Sequence, residues 1–189
     1  MTASRPILTS EQGQTLSKLF RLLPVKENAE LTSWVRVGDR ARIAGYAELS
    51  GEKNAWFVFS LPAGSGPLLV APSDDAPREV GRLLAALDEH YESVPTVSTG
   101  HLLRNSDSFL QARDRAGSVL LSPRTLGPLA TLREREEIGS TVRDVYLVLF
   151  LSNWEMTYAE TKGIDALVDV FEETRRDIFS VKAPPTLSA

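Results

Sequence analysis

Residues 145–151 read VYLVLFL, an unbroken apolar run, and residues 152–163 continue SNWEMTYAETKG. The run is far shorter than the roughly 20 residues needed to span a bilayer. Rich in β-branched and aromatic side chains, it reads as a strand buried on both faces, central in a sheet that is covered on each side. The residues after it read as a helix. Ser152 and Glu155 have the S-x-x-E spacing of a capping box, and Gly163 fits the left-handed position that ends a helix. Met156 or Tyr158 then turns toward the sheet, and Trp154, beside the cap, stays partly exposed. Polar and aromatic residues crowding the end of a buried strand also suit a functional site. The capping spacing makes Glu155 a structural residue rather than an acid or base.

Downstream, Ile164, Leu167, Val168 and Phe171 mark one face of a second helix, running to about Arg176, with Arg175 and Arg176 complementing the negative end of its dipole. Near the N-terminus, Leu16, Leu19, Phe20 and Leu23 repeat the same spacing. Thr9 and Gln12 can cap this helix and Pro24 ends it. LTSWVRV (31–37) reads as a strand, and residues 41–49 and 54–61 as an antiparallel pair turning at Gly51, with Trp56 in the core. LPAGSGPLLVAPSDDAP (61–77) is dominated by Pro, Gly and Ser and reads as a loop, with at most a brief strand at PLLV. Its GSG lacks the Lys-Ser/Thr or the third glycine of nucleotide-binding loops.

Pro77 suits the first turn of a helix over 77–92, whose buried face carries Val80, Leu83, Leu84, Leu87 and Tyr91, with His90 in its last turn. VPTVSTGHLLR (94–104) reads as a strand with a turn at Gly100, NSDSFLQARDR (105–115) as a polar loop, and GSVLLSP (117–123) as a short strand. REREE (133–137) alternates in sign and reads as a solvated segment, and VKAPPTLSA (181–189) as a frayed tail. The order of elements predicts a single α/β (α+β) domain, with a mixed central sheet flanked by helices on both faces. Residues 1–30 form an N-terminal helix and linker packed on that domain, 31–178 the domain itself, and 179–189 a flexible tail.

Composition narrows function by exclusion. The chain has 189 residues, 42% hydrophobic and 24% charged, with a net charge of −4, no cysteine and two histidines. The acidic balance argues against direct nucleic-acid binding. The absence of cysteine removes thiol catalysis and thiolate metal sites, and two histidines cannot build a His-rich one. No cofactor or metal is expected. No membrane segment or basic, apolar leader is evident, which predicts a cytoplasmic protein. The acidic pairs Asp74–Asp75, Glu136–Glu137 and Glu172–Glu173 read as solvated faces, since adjacent helical positions diverge and nothing nearby raises a carboxylate pKa. A serine hydrolase would need His90 or His101 as its base, and there is no G-x-S-x-G elbow.

VYLVLFLSNWEMTYAETKGIDALVDVFEE resembles the end of the suppressor-of-fused-like domain, in which an apolar strand leads into a helix carrying a glutamate, a small or aromatic pair and a glycine, then a second helix. The matching positions are Glu155, Tyr158–Ala159, Gly163 and Ala166–Leu167. WFVFSLP, ending at Leu61–Pro62, resembles an earlier strand of that family. Helix 77–92, the TGH turn and SVLLSP follow in its order, so the resemblance spans 31–178. It implies a non-enzymatic binding module. Eukaryotic relatives sequester a transcription factor by clasping a peptide strand, and many bacterial relatives look like immunity proteins that neutralise a cognate toxin. An acidic inhibitor suits a basic toxin through electrostatic steering. Trp154, Tyr158, His101 and Asp107 are the candidate partner-contacting residues. The alternatives are a small hydrolase or transferase using His101 with carboxylates, and a structural subunit of a larger assembly.

Overall fold

The structure, a computed structural model, describes residues 6–35, 41–62, 64–125, 127, 131–178 and 180–182. Period-two alternation of side chains organises it. Along β8 (Thr141–Leu151), Val145, Leu147, Leu149 and Leu151 enter one core, whereas Tyr146, Val148 and Phe150 enter a second. Along β3 (Trp56–Leu61), Phe57, Phe59 and Leu61 join the first core and Val58 the second. Successive side chains of a strand point to opposite faces, so the two cores lie on either side of one sheet. Each large side chain fully buried this way contributes roughly 1.5–3 kcal/mol.

The sheet is mixed, with eight strands among the described residues. β1 (Val25–Val35), β2 (Ala41–Leu49), β3 and β4 (Leu68–Ser73) form an antiparallel meander. β4 then lies parallel to β8, with Leu68 opposite Val145. On the far side of β8 come β6 (Gly117–Leu121) and, at the edge, β5 (Leu102–Arg104), each antiparallel to its neighbour. β7 (Arg135–Ile138) makes a hairpin with the start of β8. Parallel neighbours need a crossover, and α2 (Pro77–Glu92) supplies it, packing Val80, Leu83, Leu84, Leu87 and Tyr91 on one face of the sheet. α3 (Ser108–Gln111), a single turn, joins it there through Leu110. The opposite face is covered by α1 (Ser10–Leu22), α4 (Asn153–Lys162) and α5 (Ile164–Thr174), through Leu19, Met156, Ala159, Leu167 and Phe171. Both predicted capping boxes form, Thr9 with Gln12 and Ser152 with Glu155. Gln12 also donates to the Leu61 carbonyl at 2.8 Å, tying α1 to the end of β3.

Several local expectations are corrected. The segment 61–77, read as a loop with at most a brief strand at PLLV, holds the six-residue, fully buried strand β4, which starts there and runs on to Ser73. β1 starts at Val25, six residues before the expected strand, and expected strand positions 36 and 37 lie outside the described residues. Residues 94–101 carry no strand, and only 102–104 pair with β6. The polar loop 105–115 contains α3, and Arg115 at its end is 2% exposed. REREE is solvent-exposed except at Glu136: β7 takes in its last three residues, and Glu136, 5% exposed, pairs with Lys18 of α1 at 2.7 Å. Of the acidic pairs, only Glu172–Glu173 is solvent-exposed on both members. Trp56 is half-buried at the start of β3 rather than in the core. Of the expected tail, Ser180 and Val181 are buried, with Asp74 accepting from the Ser180 hydroxyl and, at 2.8 Å, from the Val181 amide. Positions 183–189 lie outside the described residues.

The join of β5 to β6 depends on Gly117. A Cβ there would overlap the Leu103 carbonyl oxygen and stand 2.9 Å from Met156 Cε and 3.0 Å from Arg104 Cα. Gly117→Ala is therefore expected to lower unfolding stability by about 1–3 kcal/mol in a urea titration. Gly13→Ala, on α1 with nothing within 4 Å, is expected to be neutral or stabilising by up to about 1 kcal/mol. Equal stability of the Gly117→Ala variant and the parent would contradict the close β5–β6 contact.

Candidate functional site

The end of β8 is held by one buried carboxylate. Glu155, 1% exposed, accepts from the Ser152 amide at 2.7 Å, while the Ser152 hydroxyl accepts from the Glu155 amide at 3.2 Å. Its other oxygen accepts from Arg176 Nε at 2.5 Å, and Arg176 Nη2 reaches the Phe150 carbonyl at 3.1 Å. Both side chains are almost wholly removed from water. The capping glutamate legible in the sequence is thus also the acceptor for an arginine just beyond α5. Adding Arg176 to Glu155 fixes how α4 leaves the sheet.

That fixed helix displays the aromatic pair. Met156 and Ala159 face the core, while Trp154 and Tyr158, one turn apart, are half-buried, with Tyr158 packed against the core margin. Their rings stack with centroids 4.8 Å apart and planes 23° apart. On the adjacent row of α4, Glu160 takes two hydrogen bonds from Arg104 of β5, at 2.9 and 2.7 Å, and Asn153 takes one at 3.1 Å. These bonds clamp the helix to the sheet edge. The outer side of β5 has no strand neighbour among the described residues. A stacked aromatic pair therefore stands on the helix whose neighbouring row binds the edge strand β5.

His101 and Asp107 lie toward the other face. The His101 ring meets the buried Tyr91 of α2 edge-on, centroids 5.4 Å apart, while its carbonyl accepts from Leu120. Asp107 caps α3 by accepting from Phe109 N at 2.9 Å and takes a bidentate contact from Arg82 of α2 at 2.8 and 2.9 Å. Arg82 holds the Asp107 carboxyl below the usual carboxylate range. The four candidates therefore form two groups, with Trp154 and Tyr158 together and the other two against α2. Among the described residues, no cluster of three or more His, Asp or Glu is placed to hold a metal, and no helix is long and apolar enough to cross a membrane.

Sequence reasoning missed Arg104, and read Arg176 only as a complement to the α5 dipole, because the partners of both are remote in the chain. It also missed a charged cluster on the α2 side, built from Arg42, Asp88, Glu92 and Arg143. One signal for that cluster was available: Asp88 falls between Leu84 and Tyr91 on the apolar stripe of α2. The GSG loop lies against this cluster rather than cradling a phosphate. A Cβ on Gly64 would strike the Glu92 carboxylate, and one on Gly66 would stand 3.1 Å from Asp88 Oδ1.

No protein-family model matches the chain, and no curated protein sequence matches it significantly. Among solved structures, a putative suppressor of fused homologue from Neisseria gonorrhoeae superposes with a TM-score of 0.70 at 13% identity, over 95% of this chain and 96% of that one. Two weaker likenesses are Drosophila suppressor of fused, TM-score 0.48 at 10% identity over 87% of this chain and 44% of that one, and a chain of the Sufu–Fu complex, TM-score 0.47 at 9% identity over 86% and 78%. The chain has a suppressor-of-fused-like fold, the one that residues 145–173 resemble in sequence.

Proposed function

We propose that this chain is a non-enzymatic protein-binding module, and that it acts as an immunity protein by neutralising a cognate, basic toxin domain. The observation that carries the binding role is the Trp154–Tyr158 stack, held on a helix that the Glu155–Arg176 pair and the Arg104 clamp keep fixed. Pre-ordered aromatic side chains make effective anchors because little rotamer freedom is lost on binding. The open β5 edge beside them offers backbone groups to the same partner. The net charge of −4 supports a basic partner, drawn in by long-range attraction. The fold's likeness to a bacterial protein is consistent with this role. His101, packed on Tyr91, and Asp107, engaged by Arg82, are secondary contacts in this reading.

Co-expression with the toxin encoded beside its gene is expected to restore growth, and the purified pair to bind with nanomolar affinity by calorimetry. Trp154→Ala with Tyr158→Ala is expected to weaken binding by a hundredfold or more, roughly 2.8 kcal/mol or above, with only a modest fall in the unfolding midpoint from the lost packing of Tyr158 against the core. Growth arrest that the chain does not relieve would overturn the immunity role. Undiminished affinity in the double variant would overturn the aromatic site.

A further inference from the structure

The charged cluster on the α2 face has a feature that partner binding does not use. Asp88 is 1% exposed, and its Oδ2 accepts from Arg42 Nη1 at 3.1 Å. Its Oδ1 has no hydrogen-bond partner among the described residues. Arg42, on β2, also pairs with Glu92, one turn further along α2. Arg143, on β8 and 3% exposed, donates from Nη1 to the Gly66 carbonyl at 2.8 Å and from Nη2 to Glu11 of α1 at 2.7 Å.

The turn between β3 and β4 is seated on these charges. Arg143 pulls on the carbonyl of Gly66, while the carboxylates of Asp88 and Glu92 lie directly against Gly66 and Gly64. Residues 65–67 also form one wall of a cavity of about 370 Å³, together with Glu92 and Arg143. Fully ionised, the described members of the cluster carry two positive charges (Arg42, Arg143) and three negative ones (Glu11, Asp88, Glu92). A buried carboxylate with an unpaired oxygen is costly to keep ionised, which makes Asp88 the natural proton holder.

We propose that Asp88 is a proton-linked latch on residues 64–67: protonated, it lets the turn stay seated over the cluster, and ionised, it draws in water that lifts the turn and opens the cavity. Burial is the main cause pushing the Asp88 carboxyl up to about 6, with Glu92 adding to it and Arg42 and Arg143 opposing. The facing charged groups are Arg42 from β2, Glu92 from α2, and Arg143 from β8 with Glu11 of α1 behind it. From the described part of the turn, the Gly66 carbonyl meets Arg143, and Gly64 and Gly66 lie against Glu92 and Asp88. Because the seated state binds the proton more tightly than the unfolded chain does, its stabilisation is complete below the unfolded value of 3.8. It is lost as pH rises from there through about 6 and is constant above.

The test is an NMR titration of the full chain from about pH 4.5 to 8, following the Asp88 side-chain carboxyl carbon and the amides of Gly64, Ser65 and Gly66. The expected result is a shared midpoint near 6 for Asp88 and Gly66, with exchange broadening at 64–66 growing above it. Asp88→Asn should flatten the Gly66 titration, and Glu92→Gln should lower the midpoint. An Asp88 midpoint at or below about 4 would overturn the latch. So would a Gly66 amide that ignores the Asp88 titration, or one that titrates unchanged in Asp88→Asn. The wild-type titration decides the matter even if a variant fails to fold.

Discussion

The buried pair of Glu155 and Arg176 sets the geometry on which the rest of the C-terminal face depends. One carboxylate closes the start of α4, and its arginine partner, arriving from beyond α5, also donates to the Phe150 carbonyl near the end of β8. Strand end and both helices are thus joined at a single point. Taking two charges out of water is costly, so the pair is not a large net source of stability. Losing one member leaves the other stranded, a change worth about 3–5 kcal/mol. Such pairs are better at fixing a geometry than at adding stability. Here the geometry fixed is the pose of Trp154 and Tyr158. Arg115 is buried in the same neighbourhood; burial and then the Arg176 charge lower its basicity, with Glu155 opposing.

Each face of the sheet therefore contains a buried ionic centre with its own consequence. On the α4–α5 face, the Glu155–Arg176 pair, with Arg115 buried nearby, holds an aromatic surface still. On the α2 face, Arg42, Asp88, Glu92 and Arg143 leave a carboxylate oxygen unpaired and rest a glycine turn on it. The C-terminal segment links the two faces: after α5 on one side, Val181 enters the core on the other, with Asp74 binding residues 180 and 181.

What was legible in the sequence was what short-range chemistry decides. The capping boxes at Thr9 and Ser152, the bounds of helix 77–92 and the double burial of VYLVLFL all follow from spacing within a few residues. β4 was obscured because Pro, Gly and Ser flank it and its parallel neighbour, β8, lies far along the chain. β7 was obscured because its inward Glu136 is neutralised by Lys18, an ion pair that spacing cannot show. Residues 94–101 have strand-like composition, yet only three residues after them find a partner in β6. At the candidate site, Trp154 was placed correctly as partly exposed, because a cap residue fixes the phase of its helix. The engagement of Asp107 by Arg82 was not legible, because Arg82 reaches it from another element.

A double-mutant cycle on Glu155→Gln and Arg176→Met, read by urea unfolding, tests the central claim most directly. If this pair sets the pose of α4 and α5, each single variant loses about 3–5 kcal/mol, and the double variant loses less than the sum by about 2 kcal/mol or more. Strictly additive losses, or single losses below about 1 kcal/mol, would mean that the two helices are held by apolar packing alone and that the pair positions nothing.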